Sequence, residues 1–501
     1  MNIMKRVISV VLCTCMVISA MVFGVNHQDA NAIPEVFVGD SVVVWYADEA
    51  MTDYISAMAV AFHEKYDIRV LPQLHSGLDY LESIYDASVA EENVPDIFII
   101  SNEALEKAYL AGLASEITDP HGLVSQQSFP VSALNAVTYQ DKIVGYPYYF
   151  ETSVLLYNRS YIYEMAKNQL LAEATDEDAE GGGEVTVSEG EDTGSAGTEE
   201  ASVEVTEEMI EARIAELIPQ TFDELLSFAN EYDAPAAVEA VFKWDVADIF
   251  YNYFFAGNYM NVGGACGDTP KEVDIYNLDT IKAMQIYQDL NQFFSFEADD
   301  VRYASVIQEF IEGKLVFTTA TSDIMRTLNT AKEEGTFAFE YGLVEIPDLN
   351  EELATKNLSV TNTVVVNGFT DQKEEANAFA SFLVGEASAS LYEKTGKIPA
   401  ASKEAVKDEK TAVFYLEYED SVPVPKMMET SNLWVQLEVT FAKVWNGSPV
   451  SLSLKNLSEM IMSQITGTEY VEEYIEEPAA EEETVEYLDE EAEKEAAKNE
   501  E

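Results

Sequence analysis

The sequence predicts an α/β protein made of two lobes, and three observations support that prediction. The chain has 501 residues, which is more than a single hydrophobic core usually supports, so at least two packed units are expected. Residues 41–112 alternate apolar strands with amphipathic helices, as in a sheet that helices cover on both faces. Near Glu151 one strand ends and a second, largely apolar strand begins, which is where a hinge between the lobes is expected.

The first unit is predicted from strands and helices that alternate along residues 41–112. Strands are expected at residues 41–47, 68–71 and 95–101, and helices at residues 51–66, 78–89 and 102–112. Ligands of such parallel sheets bind beyond the carboxyl ends of the strands, where the sequence places Tyr46, Asp48, Glu49, Asn102 and Glu103. These five are candidate ligand contacts. For Asp48 and Glu49, capping of the following helix is the alternative and is slightly favoured over ligand contact.

Residues 136–161 are the segment on which the two-lobe interpretation depends. Gln140 and Asp141 separate two short β-rich runs and predict a hairpin turn. Pro147 has no N–H to donate and is expected to stop a central strand, whereas residues 153–157 suit a strand buried on both faces. Glu151, a carboxylate within an aromatic hinge, needs a partner and is the strongest single candidate for ligand contact. Taken alone, the segment fits an ordinary β-meander within one domain equally well.

The remainder of the chain combines further elements with two acidic tracts. Residues 173–208 carry 14 acidic side chains and no Lys or Arg, and residues 469–501 carry 16 against two lysines, so both tracts are expected to be disordered and solvated. Between them, Thr221 and Glu224 predict a capping box at the start of a helix. Other helices are expected at residues 209–218, 278–293, 303–312, 374–384, 387–395 and 451–465, and strands at 315–319, 341–346 and 360–366.

The net charge and the N-terminal residues indicate which partners and which cellular location are expected. The formal net charge of −64 argues against nucleic acid and against anionic membrane surfaces. Lys5 and Arg6, an uncharged run and the small residues Ala30 and Ala32 indicate an export signal at residues 1–32, with an uncleaved anchor as the alternative. A lipid anchor at Cys13 or Cys15 has little support, because no clean lipobox precedes them. Cleavage would leave Cys266 as the only cysteine, so the exported protein is expected to fold without disulfides.

The sequence contains no recognised catalytic motif. The three histidines beyond residue 32 match no zinc spacing, and there is no G-x-S-x-G elbow, P-loop or dinucleotide fingerprint. A glycosidase-like acid pair is neither excluded nor supported by so many carboxylates. We therefore expect a binding protein without a cofactor rather than an enzyme, with an extracellular carbohydrate-active enzyme or a surface adhesin or sensor as alternatives.

Several segments, taken in order, carry a family resemblance. They are PDIFIIS (residues 95–101), YLAGLASEITD (109–119), the hinge segment, GKLVFT (313–318) and SNLW (431–434). Together they resemble the extracellular solute-binding proteins of ABC importers, specifically the maltose-binding-protein-like group for sugars. The resemblance implies a type II periplasmic-binding-protein-like fold, an ABC permease as partner, a small ligand that is a carbohydrate, and a monomer.

The resemblance also implies the division of the chain. Lobe 1 would comprise residues 40–149 and 368–398, and lobe 2 residues 153–360 and 404–468. The three crossings between lobes would lie near residues 150–152, 361–367 and 399–403, and the lobes would close on the ligand.

Site residues follow from the resemblance by position. Asp48 and Glu49 match an acidic loop, Glu151 a hinge carboxylate, Glu103 an acid after the third strand, and Trp434 an aromatic platform, although core packing explains Trp434 about as well. Ile100 and Asp323 stand where two other tryptophans are expected, which argues against a maltodextrin as ligand. Position alone adds Tyr46, Asn102, Trp244, Asp248 and Tyr251.

Overall fold

A computed structural model describes residues 41–119, 121–179, 186–187, 204–294, 301–402 and 408–476. The predicted export signal lies outside these residues. Among the described helices, none combines the length and the apolar character needed to cross a lipid bilayer.

The strands of the described chain are numbered in order. They are β1 Ser41–Tyr46, β2 Arg69–Leu74, β3 Ile97–Ser101, β4 Thr138–Tyr139, β5 Lys142–Ile143, β6 Tyr146–Glu151, β7 Ser153–Asn158, β8 Thr186–Val187, β9 Glu204–Val205, β10 Ala240–Phe242, β11 Asn261–Val262, β12 Val273–Asp274, β13 Leu315–Thr321, β14 Tyr341–Val344, β15 Leu358–Val366, β16 Ile398–Pro399 and β17 Val422–Pro423.

The α-helices are numbered in the same way. They are α1 Thr52–Tyr66, α2 Tyr80–Ala90, α3 Leu105–Leu110, α4 Val131–Val137, α5 Arg159–Ala179, α6 Glu207–Leu217, α7 Phe222–Glu231, α8 Leu278–Phe294, α9 Tyr303–Ile311, α10 Ile324–Glu333, α11 Lys373–Val384, α12 Leu391–Thr395, α13 Glu409–Glu419, α14 Leu433–Trp445 and α15 Val450–Thr466.

The larger sheet forms lobe 1 in the order β16-β6-β15-β3-β1-β2, with β17 attached to β15. The strands β1, β2 and β3 are parallel, as their uninterrupted apolar runs predict. The sheet is nevertheless mixed, because β15 runs antiparallel to both β3 and β6. Sequence reasoning assigned β15 to a strand but could not show that it inserts between the first three strands and β6.

Pro147 lies inside β6, so the prediction that it stops a strand was wrong. Its partner is Thr363 on β15, and the register of the two strands shifts between Asn362 and Thr363. On the other side, the two-residue strand β16 pairs only with Phe150 and Tyr149. An irregular ladder on one side and no paired strand on the other is a position where a missing N–H is tolerated.

A four-stranded sheet in the order β10-β13-β7-β14 forms lobe 2. Every residue of β7 is buried, as predicted from its apolar run. Since β6 and β7 belong to different sheets and only Thr152 separates them, the structure excludes the alternative of one continuous meander. The core of lobe 2 is strongly aromatic, with Trp244 stacked on Phe242 and in edge contact with Trp445.

The return crossing from lobe 2 to lobe 1 lies earlier than predicted. Within β15, Val360 and Thr361 already pair with β6 of the larger sheet, so the chain passes between the lobes before residue 361. The predicted crossing at residues 361–367 is therefore displaced. The third predicted crossing, at residues 399–403, runs into residues 403–407, which lie outside the described chain.

Helix α13 packs at the junction of the two lobes. Its Tyr418 ring stacks on Phe150 of β6 with centroids 3.8 Å apart and an interplanar angle of 1°. The preceding residue, Glu417, accepts hydrogen bonds from the Ile346 backbone N–H and from Asn357 Nδ2. Burial raises the pKa of the Glu417 carboxyl to about 8.

A fourth connection between the lobes, which the sequence did not indicate, follows β17. The Lys426 ammonium is buried and donates to the carbonyls of Asn135 and Thr138 in lobe 1 and of Cys266 in lobe 2. Burial lowers the pKa of this lysine to about 8. Gln140 of the predicted hairpin turn lies nearby, and its backbone N–H donates to Asp268 of lobe 2; both turn residues have positive φ.

Both acidic tracts contain residues that are ordered although disorder was predicted. Helix α5 continues to Ala179, and Glu173 pairs with Arg213 of α6, so the predicted insertion at residues 173–208 starts too early. The segment that follows α15 is also held: the Ile475 backbone N–H donates to Tyr276 OH, and Glu472 accepts from Ser458. The other residues of the two tracts, 180–203 apart from 186–187 and 477–501, lie outside the described chain.

The capping box at the start of α7 is present in a modified form. Thr221 accepts from the Glu224 backbone N–H, as predicted, but Glu224 accepts from the Gln220 backbone N–H, one residue before the cap.

Candidate functional site: a cleft between the lobes

Two adjoining cavities share Glu151 and Val360, which belong to the two crossing strands. The first, here called the interlobe cavity, has a volume of about 580 Å³ and takes its walls from both lobes. The second, the lobe 1 cavity, has about 690 Å³ and lies at the carboxyl ends of β1 and β3. Together they form the cleft, and their volumes are those of small-molecule sites.

A lysine that bridges two carboxylates forms the floor of the cleft. Lys397 Nζ lies 2.9 Å from Glu151 Oε1 and 3.3 Å from Asp48 Oδ2. Gly396 ends α12 with φ +77°, and the Lys397 backbone N–H donates to Thr395 Oγ1, so the local turn orients the lysine at the start of β16. Burial lowers the pKa of Lys397, but the carboxylates of Glu151 and Asp48 outweigh burial, and the net pKa is raised.

Stacked tyrosines line the lobe 2 side of the interlobe cavity. The rings of Tyr251 and Tyr303 have centroids 4.6 Å apart and an interplanar angle of 14°. The buried Asp245 fixes both ends of this arrangement, because it accepts from the Asp248 and Tyr303 backbone N–H groups. Burial raises the pKa of both tyrosines, so they present neutral aromatic faces at physiological pH.

Two aspartates flank this aromatic wall. Asp248 caps the 3-10 turn Ile249–Tyr251 by accepting from the Phe250 backbone N–H at 2.9 Å. Asp323 accepts from the hydroxyls of Thr321 and Tyr303. Burial raises the pKa of the Asp248 carboxyl.

The lobe 1 cavity is also bordered by rings and acids. Tyr80 and Tyr149 line it together with Ile100. Glu103 projects from the turn after β3, and the surrounding walls desolvate its carboxyl and raise its pKa. Carboxylates outnumber cations across the whole cleft lining: Asp48, Glu82, Glu103, Glu151, Asp248 and Asp323 against Lys107, Arg326 and Lys397. Within the described residues, no group of three or more His, Cys, Asp or Glu side chains is arranged to hold a metal ion.

Comparison with known proteins identifies the family. The sequence profile of a family described as bacterial extracellular solute-binding protein matches residues 57–413, which is more than half of the chain. The chain belongs to this family.

Individual relatives of this solute-binding protein are distant in sequence. The maltodextrin-binding protein MdxE of Bacillus subtilis (strain 168) is 20% identical over 467 residues, covering 90% of this chain and 97% of that protein. Among solved structures, an extracellular solute-binding protein from Staphylococcus aureus in complex with maltose matches with a TM-score of 0.65, 17% identity and coverage of 85% of this chain and 98% of that chain. A cyclo/maltodextrin-binding protein complexed with maltotetraose matches with a TM-score of 0.65, 17% identity and coverage of 87% and 100%. These likenesses show the two-lobed α/β fold.

The cleft of the solute-binding protein brings together six of the ten residues predicted from sequence. They are Tyr46, Asp48, Glu103, Glu151, Asp248 and Tyr251. Ile100 and Asp323, the two positions where tryptophans were expected, also line it. Contact of these residues with a ligand stays a prediction.

Asn102 and Trp244 are structural instead. Asn102 has no solvent exposure, donates to the Val424 carbonyl at 2.8 Å and accepts from the Thr361 backbone N–H at 2.9 Å. Trp244 is likewise unexposed, and its indole N–H donates to Asn252 within the lobe 2 core. Position after a strand suggested both, but position does not show the direction in which a side chain points.

Glu49 and Trp434 line neither cavity. Glu49 lies in the 3-10 turn before α1 and is exposed, whereas Asp48 caps that turn by accepting from the Ala50 backbone N–H. Asp48 therefore has the capping role that was predicted, and it also pairs with Lys397; its contact with a ligand stays a prediction. Trp434 is half-buried on α14, beside Tyr253 of lobe 2, which favours the core-packing alternative.

Sequence reasoning missed Lys397, Tyr303, Phe250 and Arg326 in the interlobe cavity. Gly396 before Lys397 was a usable signal, because a glycine after a short helix marks a turn. The other three gave no comparable signal, since Tyr303 and Arg326 lie in helices and Phe250 in an aromatic-rich segment.

Proposed function

We propose that this solute-binding protein captures a sugar or short oligosaccharide in the cleft and delivers it to an ABC permease. One observation carries the proposal: the cleft combines a stacked aromatic wall from lobe 2 with the Asp48–Lys397–Glu151 cluster from lobe 1 and the hinge. Apolar C–H faces of a sugar ring match aromatic surfaces, and carboxylates orient hydroxyl groups. Relatives described as maltose- and maltodextrin-binding support a carbohydrate.

The hinge gives the proposal its mechanism. The sheets are joined through Thr152 and the start of β15, short connections of the kind that absorb domain closure. Closure would bring Tyr251 and Tyr303 towards Asp48 and Glu151, which desolvates a bound solute and strengthens its hydrogen bonds. A monomer suffices, because one chain supplies both walls.

Export is part of the same proposal. Residues 1–32 are proposed to direct secretion and to be removed after Ala32, which N-terminal sequencing of the secreted protein would test by finding Ile33 as the first residue.

Isothermal titration against a panel of sugars, run beside an assay for released products, tests the function. Binding of one sugar per chain without turnover supports the proposal. Turnover of a glycoside would instead favour an enzyme that uses an acid pair in the same cleft, and the absence of any sugar binding would refute the carbohydrate part of the proposal.

A further inference from the structure

The walls of the cleft carry carboxylates that the protein itself does not neutralise. Asp248 and Asp323 lie on the lobe 2 side, and Glu103 lies on the lobe 1 side. Within the described chain, none of the three forms an ion pair with Lys or Arg. Burial raises the pKa of Asp248 and of Glu103, as expected where solvation is reduced and no cation compensates.

Both lysines of the cleft are already paired with carboxylates, whereas Arg326 contacts a neutral carbonyl. Lys397 is shared between Asp48 and Glu151. Lys107 pairs with Glu82, and Arg326 donates to the Thr395 carbonyl. Six carboxylates against three cations leave a formal charge of −3 on the lining of the two cavities.

Closure of the lobes would make binding depend on the charge of the ligand. Bringing the walls together removes water from between like charges, which strengthens their repulsion. A neutral sugar offers hydroxyl donors but leaves the charge uncompensated. A cationic group on the sugar would turn the repulsion into attraction, and the Tyr251 and Tyr303 faces beside the aspartates also suit a cation.

We infer that the solute is a saccharide carrying a protonated amine, bound with its ammonium group against the Asp248 and Asp323 carboxylates on the lobe 2 side of the interlobe cavity. This inference rests on the proposed function and narrows its ligand class. The amine donates hydrogen bonds to Asp248 and Asp323, while the sugar ring lies against the tyrosine stack.

A matched pair of ligands tests the inference. Titrations at about pH 6, below the usual pKa of an α-amino group, would compare β-1,4-linked diglucosamine with its N,N′-diacetylated form, which keeps the skeleton and removes the charge; maltose serves as a neutral reference. The diamine is expected to bind at least about 10-fold more tightly than the diacetylated form. This preference should shrink as salt rises from about 0.05 to about 0.5 M, because salt screens charge pairs.

Charge-removing variants locate the effect. Asp248→Asn and Asp323→Asn should each weaken binding of the diamine by about 10-fold more than they weaken binding of the diacetylated form, a difference equivalent to about 1.4 kcal/mol. Asparagine caps turns as well as aspartate does, so the turn at Asp248 should persist, which circular dichroism can verify. Asp274→Asn removes the same charge from an exposed strand residue that lines neither cavity, and it should change neither affinity.

Two outcomes would overturn the inference. If maltose or the diacetylated sugar binds as tightly as the diamine, or if the two variants weaken all ligands alike, the cleft does not select a cation although the sugar-binding function stands. If no saccharide binds, the proposed function fails and the inference fails with it.

Discussion

Replacing Asn102 with alanine separates a structural role from a ligand contact. The asparagine side chain is fully buried and connects two segments at the lobe junction, through Thr361 on β15 and Val424 after β17. Alanine would leave one buried N–H and one buried carbonyl without their partners. Each such group costs about 1–3 kcal/mol, so we expect Asn102→Ala to lower the free energy of unfolding by about 2–6 kcal/mol, a large share of the usual 5–15 kcal/mol.

Urea unfolding followed by circular dichroism measures this loss as a shift of the midpoint at constant slope. Asn329→Ala, at an exposed position within α10, is the matched control and should change stability by less than about 0.5 kcal/mol. The folded fraction of Asn102→Ala should still bind the solute with wild-type stoichiometry. A loss below about 1 kcal/mol, or abolished binding in a variant of unchanged stability, would refute the structural role and restore Asn102 as a ligand contact.

Three further predictions concern buried or bridging charges. Lys397→Met should lower the free energy of unfolding at neutral pH by about 1–3 kcal/mol, because Asp48 and Glu151 would face each other without their shared cation. Glu417 has a folded pKa of about 8, above its usual value, so the folded state binds the proton of this carboxyl more tightly than the unfolded state does. The free energy of unfolding should therefore fall by up to about 5 kcal/mol as pH rises from acidic values towards 8. Glu417→Gln should remove that loss. Lys426 has a folded pKa lowered to about 8, so stability should rise between about pH 8 and 10 as the lysine deprotonates in the folded state, and Lys426→Met should remove that rise.

Urea unfolding across a range of pH measures the difference in free energy of unfolding between each variant and wild type. This difference separates the contribution of the replaced group from that of the other charged side chains. Equal stability of wild type and Lys397→Met at neutral pH would show that the bridging lysine contributes nothing. Parallel pH profiles for wild type and Glu417→Gln, or for wild type and Lys426→Met, would show that the corresponding group titrates normally.

Local sequence patterns predicted the strands and helices, because the apolar pattern of a segment reflects which of its residues are buried. The apolar runs of β1, β3 and β7 identified three strands, and Thr221 identified the start of α7. The parallel order of the first three strands followed from the same runs. The insertion of β15 beside β3 did not, because strand pairing across more than 250 residues leaves no local trace.

Site residues were predictable where they directly follow parallel strands, because the strand direction fixes the edge of the sheet at which they lie. Asp48 and Glu103 follow strands whose ends meet at one edge of the sheet, and the structure places both in the cleft. Asn102 precedes Glu103 directly and points into the protein, a distinction that requires the turn geometry. Lys397 comes from a distant segment, and only the pairing of β16 with β6 brings it to Glu151.

The position of β15 has a consequence for synthesis of the protein. Lobe 1 gains its central strand at residues 358–366, and β3, complete at Ser101, has no other strand beyond that edge. A ribosome needs roughly 15–50 s to add the intervening residues at the usual rates. During that interval the nascent chain carries an open strand edge, which is a template for misassembly. The same delay keeps the sheet of lobe 1 incomplete until residues 358–366 have been added.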